Sequence, residues 1–360
     1  MTKPMVVTLS TQAKGGITTV VQTYIDVGLY NRYDHRWIQT HDDFSAPRKT
    51  WLFFRSILLL LPLLPKKPIL HLHVASHASF VRKYCYLKLG KLFGCKVILH
   101  LHGSEFREFY AQASRAVKKC VEATFDLSDR VVVLSESWKQ VVEDISTNRR
   151  VVVINNFVKP VNVEKRDHDA DTVTILFMGK LGNRKGTYDL LDAIRDSGES
   201  LSGYELLLCG DGELDKVKRK IREYRLQECV RVAGWIGPDK KDKYYASADV
   251  FVLPSHNEGL PMSILEAMSA QLAIITTPVG GIPEVIDSGR NGLLVDAGDV
   301  ESLADALVRV CTDSELRSRL AKSAKGDFDL LYAPESVIPL LQQLYTDLMA
   351  DESATGPSSH

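Results

Sequence analysis

Two glutamates separated by seven residues, Glu258 and Glu266, bracket a Gly259-Leu260-Pro261 turn. Taken alone, two carboxylates beside a turn suggest acid–base hydrolysis of a glycosidic bond. A single carboxylate is also well suited to gripping a vicinal diol, because it accepts two hydrogen bonds at once. A second constellation is basic: Lys180, Arg184 and Lys185 follow an apolar run and open a helical segment. Cations and backbone N–H groups held there fit a diphosphate whose charge grows as a bond to it breaks. Gly15-Gly16 follows the first apolar run and opens another helix, so the backbone can approach a phosphate at a helix N-terminus. A double glycine by itself is more often only a turn. His71-x-His73 and His100-x-His102 each place two imidazoles on one face of a strand, which is metal-ligand spacing.

The surrounding elements must place these groups. Ala248–Leu253 reads as a buried strand, and Pro261 suits the first position of the helix that follows. Glu258 then lies on a loop at the carboxyl end of a strand, where open α/β sheets bind ligands, and Glu266 lies in the helix. Continuous apolar runs at Met5–Leu9, Ile69–Val74, Lys96–Leu101, Arg130–Leu134 and Val151–Ile154 predict strands of a first parallel sheet. Runs at Thr172–Met178, Tyr204–Cys209, Val230–Ala233, Val250–Leu253, Ala273–Thr276 and Gly292–Val295 predict a second. Amphipathic segments alternate with them, among them Gly186–Asp196, Asp215–Tyr224, Pro261–Ala270, Ile282–Asp287 and Glu301–Val310. The predicted class is α/β with two tandem Rossmann-like domains and parallel sheets facing a central cleft. Residues 1–158 form the first domain, 159–171 a polar linker, and 172–332 the second. Residues 333–350 form a final helix packing back on the first domain, and 351–360 a disordered tail.

A chain of 360 residues suggests two cores rather than one. Lys plus Arg and Asp plus Glu number 45 each, so no overall field selects nucleic acid. The 6 cysteines show no CxxC pairing, which points to buried thiols in a reducing cytoplasm. The N-terminus leads straight into a strand, leaving no room for a signal peptide. Trp51–Pro65, followed by Lys66-Lys67, is shorter than the ~20 apolar residues a membrane span needs, and a buried helix is its first reading. The second reading lodges it in a membrane interface, with Arg55, Lys66 and Lys67 toward anionic headgroups.

Seven stretches in order resemble the retaining GT-B glycosyltransferases of family 4, which carry a Glu-x7-Glu motif. They are Gly15-Gly16, His102-Gly103, Gly179–Gly186, Gly210-Asp-Gly212, Gly234-Trp235, Glu258–Glu266 and Gly280–Glu284. The resemblance implies sugar transfer from a nucleotide-diphospho-sugar, carried by UDP or GDP, with retention and without a metal or other cofactor. By that resemblance Glu266 accepts hydrogen bonds from ribose hydroxyls, and Glu258 with Gly259 and Leu260 meets the transferred sugar. Lys185, Lys180, Arg184, Gly15 and Gly16 hold the diphosphate. Lys180 stands where the family usually has arginine, keeping the charge without the bidentate fork. His102 positions the sugar, so the catalytic set is His102, Lys185 and Glu258, while Gly234, Trp235 and Ile236 abut the base. Glu105 is a secondary candidate in the acceptor pocket. With the apolar-basic segment and the basic run Arg82–Lys91, the acceptor is read as a glycan or lipid-linked oligosaccharide of surface polysaccharide, lipopolysaccharide or O-antigen assembly. Such an enzyme works in the cytoplasm, peripherally at the inner face of the plasma membrane.

Four rivals stand beside this reading. A GT-B nucleotide-sugar epimerase shares the fold, but the Glu-x7-Glu block argues against it. A metal-dependent hydrolase would use the His-x-His pairs, for which hydrogen-bonded strand-end histidines are the simpler account. Asp167-x-Asp169-x-Asp171 has the letters of a metal-binding transferase motif but falls in the linker. A non-catalytic sugar-binding module would leave the phosphate lysines without a task.

Overall fold

The computed structural model describes residues 3–13, 15–42, 45–103, 105–162, 172–201 and 203–353. The chain divides into two compact units, one of Met1–Asn156 with Pro334–His360 and one of Phe157–Ala333. Each holds a six-stranded parallel sheet. The first is built from β1 (Met5–Ser10), β2 (Asp34–Gln39), β3 (Ile69–Val74), β4 (Val97–Leu101), β5 (Arg130–Val133) and β6 (Val151–Val153). The second comprises β7 (Val173–Met178), β8 (Tyr204–Cys209), β9 (Val230–Gly234), β10 (Val250–Leu253), β11 (Ala273–Thr276) and β12 (Leu293–Leu294).

Strand order fixes where each sheet can bind. In the first unit the order is β2-β1-β3-β4-β5-β6, so the winding reverses between β1 and β3. In the second it is β12-β11-β10-β7-β8-β9, with reversal between β7 and β10. At such a point the loops leaving two neighbouring strands diverge to opposite faces and open a crevice above their carboxyl ends. The central strands β3, β4, β10 and β11 are buried at every residue, as sheets covered on both faces require.

The final helix, Pro334–Ser353, belongs to the first unit. Tyr345 is its anchor, fully buried, with its hydroxyl 2.7 Å from His71 Nδ1 and its ring edge-on to Tyr33. The unit boundary lies at Asn156/Phe157. Phe157, Val158 and Val161 are buried, and the Val161 amide donates to Ser269 Oγ at 2.9 Å, so this stretch packs with the second unit. Most of the expected linker, 163–171 with its Asp-x-Asp pattern, lies outside the described residues, as do 354–360 of the expected tail.

Several sequence expectations need correction. β2 was not anticipated, because an edge strand reading Asp-His-Arg-Trp-Ile-Gln buries only Ile38 and lacks an apolar run. Pro261 caps its helix rather than beginning it, with φ −72° and ψ 126°, and the helix is Met262–Ser269. The segment Ile282–Asp287 forms only a 3₁₀ turn at Ile282–Glu284. Cys95, Cys209 and Cys311 are buried, but Cys120 and Cys229 are half-buried and Cys85 is exposed. Trp51–Pro65 is not a buried helix: within helix Ala46–Leu60 only Leu52, Ser56 and Leu60 are buried, while Trp51, Phe54 and Leu58 face outward.

Candidate active site

At the β7/β10 switch three loops lock onto one another. The turn Asn183–Lys185 ends at Gly186, whose φ is +68°. A Cβ on Gly186 would sit 1.9 Å from the Pro254 carbonyl oxygen, so only glycine lets the β7 loop press against the end of β10. The His256 amide donates to the Arg184 carbonyl at 2.9 Å, and Arg184 Nη1 donates to the Asn257 carbonyl at 3.2 Å. The β11 loop closes the third side through Gly280, at φ +60°, whose Cβ would lie 1.9 Å from the Glu258 carbonyl oxygen. The Gly281 amide then donates to the Gly259 carbonyl at 2.7 Å.

Inside this frame Lys185 Nζ pairs with Glu258 Oε1, and Ser255 Oγ donates to the same oxygen at 2.7 Å. Glu258 is buried and the Lys185 side chain is only 14% exposed. Two desolvated charges this close hold each other, and deleting either leaves the other uncompensated. Gly259 and Leu260 follow directly, both buried.

Glu266, on helix Met262–Ser269, is held by residues that sequence reasoning did not find. Lys241 Nζ reaches Oε1 at 2.6 Å and Oε2 at 2.8 Å, and the Tyr245 hydroxyl donates to Oε2 at 2.7 Å. Lys241 and Tyr245 stand four residues apart on helix Pro238–Ala246, hence on one face. Burial, and then the Glu266 charge, pushes the Tyr245 phenol well above its ordinary range, so it keeps its proton and donates. A carboxylate offers about four lone-pair positions. Three are used here, leaving room for a diol hydroxyl. The spacing of Lys241 and Tyr245 was the available signal, in a helix polar enough to read as surface.

The other predicted residues of this unit lie on the same carboxyl edge. Lys180 is exposed just past β7. Gly234, at φ +71°, ends β9, and Trp235 beyond it is half exposed, with Ile236 next. Gly210 and Gly212 are packing glycines: a Cβ on either would strike the Gly179 or the Leu181 carbonyl oxygen.

The first unit carries its own predicted residues. Gly15 precedes helix Gly16–Asp26, and Cβ atoms on Gly15 or Gly16 would meet nothing within 4 Å, so this helix start is open to approach. Glu105 precedes helix Phe106–Gln112 and is exposed. His102 sits at the end of β4, its Nε2 2.8 Å from His73 Nδ1. With His71 and His100 it completes a stack of four imidazoles on one sheet face; His71 Nε2 and His100 Nδ1 are 3.2 Å apart. Burial holds His71 and His102 down to about 3 and His73 and His100 well below the ordinary range, so all four are neutral near pH 7. The expectation that hydrogen bonds satisfy them holds only in part, since His73 Nε2 and His100 Nε2 are buried without a partner. One ligand nitrogen from each of His71, His73 and His100 lies within 4.8 Å of the others. The three rings stack within 7–26° of parallel, and both His71 nitrogens already have partners, Nδ1 the Tyr345 hydroxyl and Nε2 His100 Nδ1.

Two doubly wound sheets on one chain, with ion-paired loops at a switch point, define an architecture shared with known proteins. Sucrose-phosphate synthase from Thermosynechococcus elongatus matches with a TM-score of 0.80 at 18% identity, covering 96% of this chain and 100% of that one. HepE from Anabaena, solved in complex with UDP, matches at TM-score 0.76 and 15% identity, covering 96% and 100%. The fold is therefore GT-B. The model of Glycosyltransferase Family 4 matches residues 14–161 and that of Glycosyl transferases group 1 matches 158–327. The chain belongs to the family 4 glycosyltransferases. Among curated relatives, the lipopolysaccharide core biosynthesis glycosyltransferase LpsE of Rhizobium meliloti strain 1021 is 33% identical over 226 residues. That alignment covers 61% of this chain and 65% of LpsE, slightly under two thirds of the relative.

Proposed function

We propose that the chain transfers a sugar, with retention, from a nucleoside-diphospho-sugar to a glycan or lipid-linked acceptor in surface polysaccharide or lipopolysaccharide assembly. The observation that carries this reading is the Lys185–Glu258 pair at the β7/β10 switch, with Glu266 held on the helix that follows by Lys241 and Tyr245. A buried cation at a switch point suits the diphosphate, and buried carboxylates with spare acceptor capacity suit sugar and ribose hydroxyls. In this reading Lys185, assisted by Lys180 and Arg184, stabilises charge on the departing diphosphate, and Gly15 and Gly16 offer backbone N–H groups to it. Glu258, with Gly259 and Leu260, orients the sugar, and Glu266 holds the ribose. Gly234, Trp235 and Ile236 face the base, which belongs to UDP or GDP. HepE, solved in complex with UDP and with UDP-glucose, and LpsE in lipopolysaccharide core synthesis support the donor and pathway classes.

His102 is neutral and positions the sugar rather than attacking it. The departing phosphate would guide the acceptor onto the same sugar face, so the reaction needs neither a metal nor a carboxylate nucleophile. The enzyme would act in the cytoplasm at the inner face of the plasma membrane, where lipid-linked acceptors are held.

Nucleoside diphosphate release tests this. Release that requires both a nucleotide-sugar and an acceptor, persists in EDTA and yields the donor's anomeric configuration by NMR supports it. Hydrolysis without an acceptor, abolished by EDTA and restored by zinc, overturns it.

A further inference from the structure

Helix Ala46–Leu60 turns an apolar face away from its own unit. Trp51 is 59% exposed, Phe54 59% and Leu58 69%, and Leu61 continues the stripe at 38%. These positions step by three, four and three residues, the spacing of one helical face, while Leu52, Ser56 and Leu60 bury the opposite one. Ser56 and Phe53 seat the helix on Tyr86 of the neighbouring helix Ala78–Leu92, so the outward face is fixed rather than frayed.

The charge around it is one-sided. Between Asp43 and Glu105 the sequence carries ten Lys and Arg residues and no Asp or Glu, in a chain whose formal net charge is +0. Of these, Arg48 pairs with Asp42, Lys91 pairs with Asp129 and Lys83 is buried. Lys49 precedes the apolar stripe, Arg55 stacks 5.7 Å from the Trp51 ring centroid, and Lys66 and Lys67 are exposed beyond it. The surface continues toward the end of helix Ala78–Leu92, where Leu92 is 80% exposed and a Cβ on Gly94 would lie 3.8 Å from Lys67 Cε. No helix among the described residues is long and apolar enough to cross a membrane.

We infer that the face formed by Trp51, Phe54, Leu58 and Leu61, flanked by Arg55, Lys66 and Lys67, docks on the surface of an anionic phospholipid bilayer. Trp, Phe and Leu on one face enter the boundary between headgroups and acyl chains, while the cations meet lipid phosphates. Charge favours this occupant over a second copy of the chain. A two-fold interface would set the same cations against one another with no acidic residue of this segment to offset them. The inference rests on the proposed function for its purpose, bringing the enzyme to lipid-linked acceptors. Its physics stands on the surface alone.

Flotation of the full chain with vesicles tests it. Binding is expected with phosphatidylcholine vesicles containing phosphatidylglycerol, weak with phosphatidylcholine alone, and weakened at about 1 M salt, where screening acts within about 3 Å. The Phe54→Glu/Leu58→Glu variant should stay unbound. Lys66→Ser and Lys67→Ser should each reduce partitioning roughly fivefold, the equivalent of about 1 kcal/mol per cation. These side chains are exposed, so unchanged melting curves will show that the variants fold. A wild-type chain that ignores anionic vesicles, or a Glu variant that floats as well as wild type, overturns the inference. So does a variant whose only change is a smaller mass in solution, which would assign the face to a second copy. Thermal stabilisation by UDP or GDP, measured on the same variants without lipid, should be unchanged and reports separately on the donor site.

Discussion

Lys185 and Glu258 stand 73 residues apart in sequence and form an ion pair where the winding of the second sheet reverses. Each belongs to a different strand-end loop, and the pair sits among backbone contacts that admit only glycine at Gly186 and Gly280. A bound diphosphate would draw on the Lys185 charge that now compensates Glu258, leaving Glu258 to turn toward sugar hydroxyls.

Removing Lys185 should therefore do two things at once. Lys185→Ala should lower kcat/KM by about 10²-fold or more, as loss of a charge-stabilising group does. It should also destabilise the protein by about 3 kcal/mol by stranding Glu258. The double variant Lys185→Ala/Glu258→Gln should recover most of that stability and none of the activity. Denaturant titrations beside initial rates check this; a Lys185→Ala enzyme of normal stability and rate would refute both halves.

Around Glu266 the expected effects fall on donor binding. Glu266→Ala should lower turnover at fixed donor concentration by orders of magnitude, mainly through a raised donor KM. Tyr245→Phe removes one hydrogen bond to the carboxylate and should cost about 1 kcal/mol of stability with a smaller KM change. Kinetics at varied donor concentration separate these cases, and an effect confined to kcat would contradict the ribose assignment.

Stability of the first unit should fall on the acid side of neutrality. The folded-state values of His71 and His102, about 3, lie below the ordinary 6.5. The unfolded chain therefore takes up protons that the folded chain refuses. Their stabilising effect is complete above about pH 6.5 and is lost as pH falls toward 3, at up to about 1.4 kcal/mol per pH unit for each histidine. Chemical unfolding measured from neutral pH downward should show this slope, and His71→Gln should flatten it. A pH-independent midpoint across that range would contradict the buried, neutral stack.

Gly186→Ala should be far more damaging than an added methyl suggests. The substituted residue must hold φ +68° with its Cβ 1.9 Å from a carbonyl oxygen, so the loop must withdraw from β10 and carry Lys185 with it. Activity should fall with Lys185 chemically intact. Wild-type rates would show that the contact is dispensable.

The parallel strands were legible because central strands of a doubly wound sheet are continuous apolar runs: β3, β4, β10 and β11 are buried throughout. β2 was not, because an edge strand that buries one residue carries no such run. Both glutamates were visible as a motif, but their partners were less so. Lys241 and Tyr245 reach Glu266 from 25 and 21 residues upstream, on a helix otherwise polar and exposed. Helical periodicity in Trp51–Pro65 showed an apolar stripe without showing whether anything covers it; that depends on tertiary packing, which here covers the Leu52 side only.

The central claim is that the β7/β10 switch, with Lys185, Glu258 and Glu266, grips a nucleoside-diphospho-sugar. The most direct test is thermal unfolding of wild type, Lys185→Ala and Glu266→Ala with and without UDP and GDP, because a ligand bound only to the folded state raises its melting temperature. The account predicts a concentration-dependent rise for wild type with at least one of the two nucleotides, and its loss in both variants. No rise with either nucleotide, or equal rises in all three proteins, would contradict it.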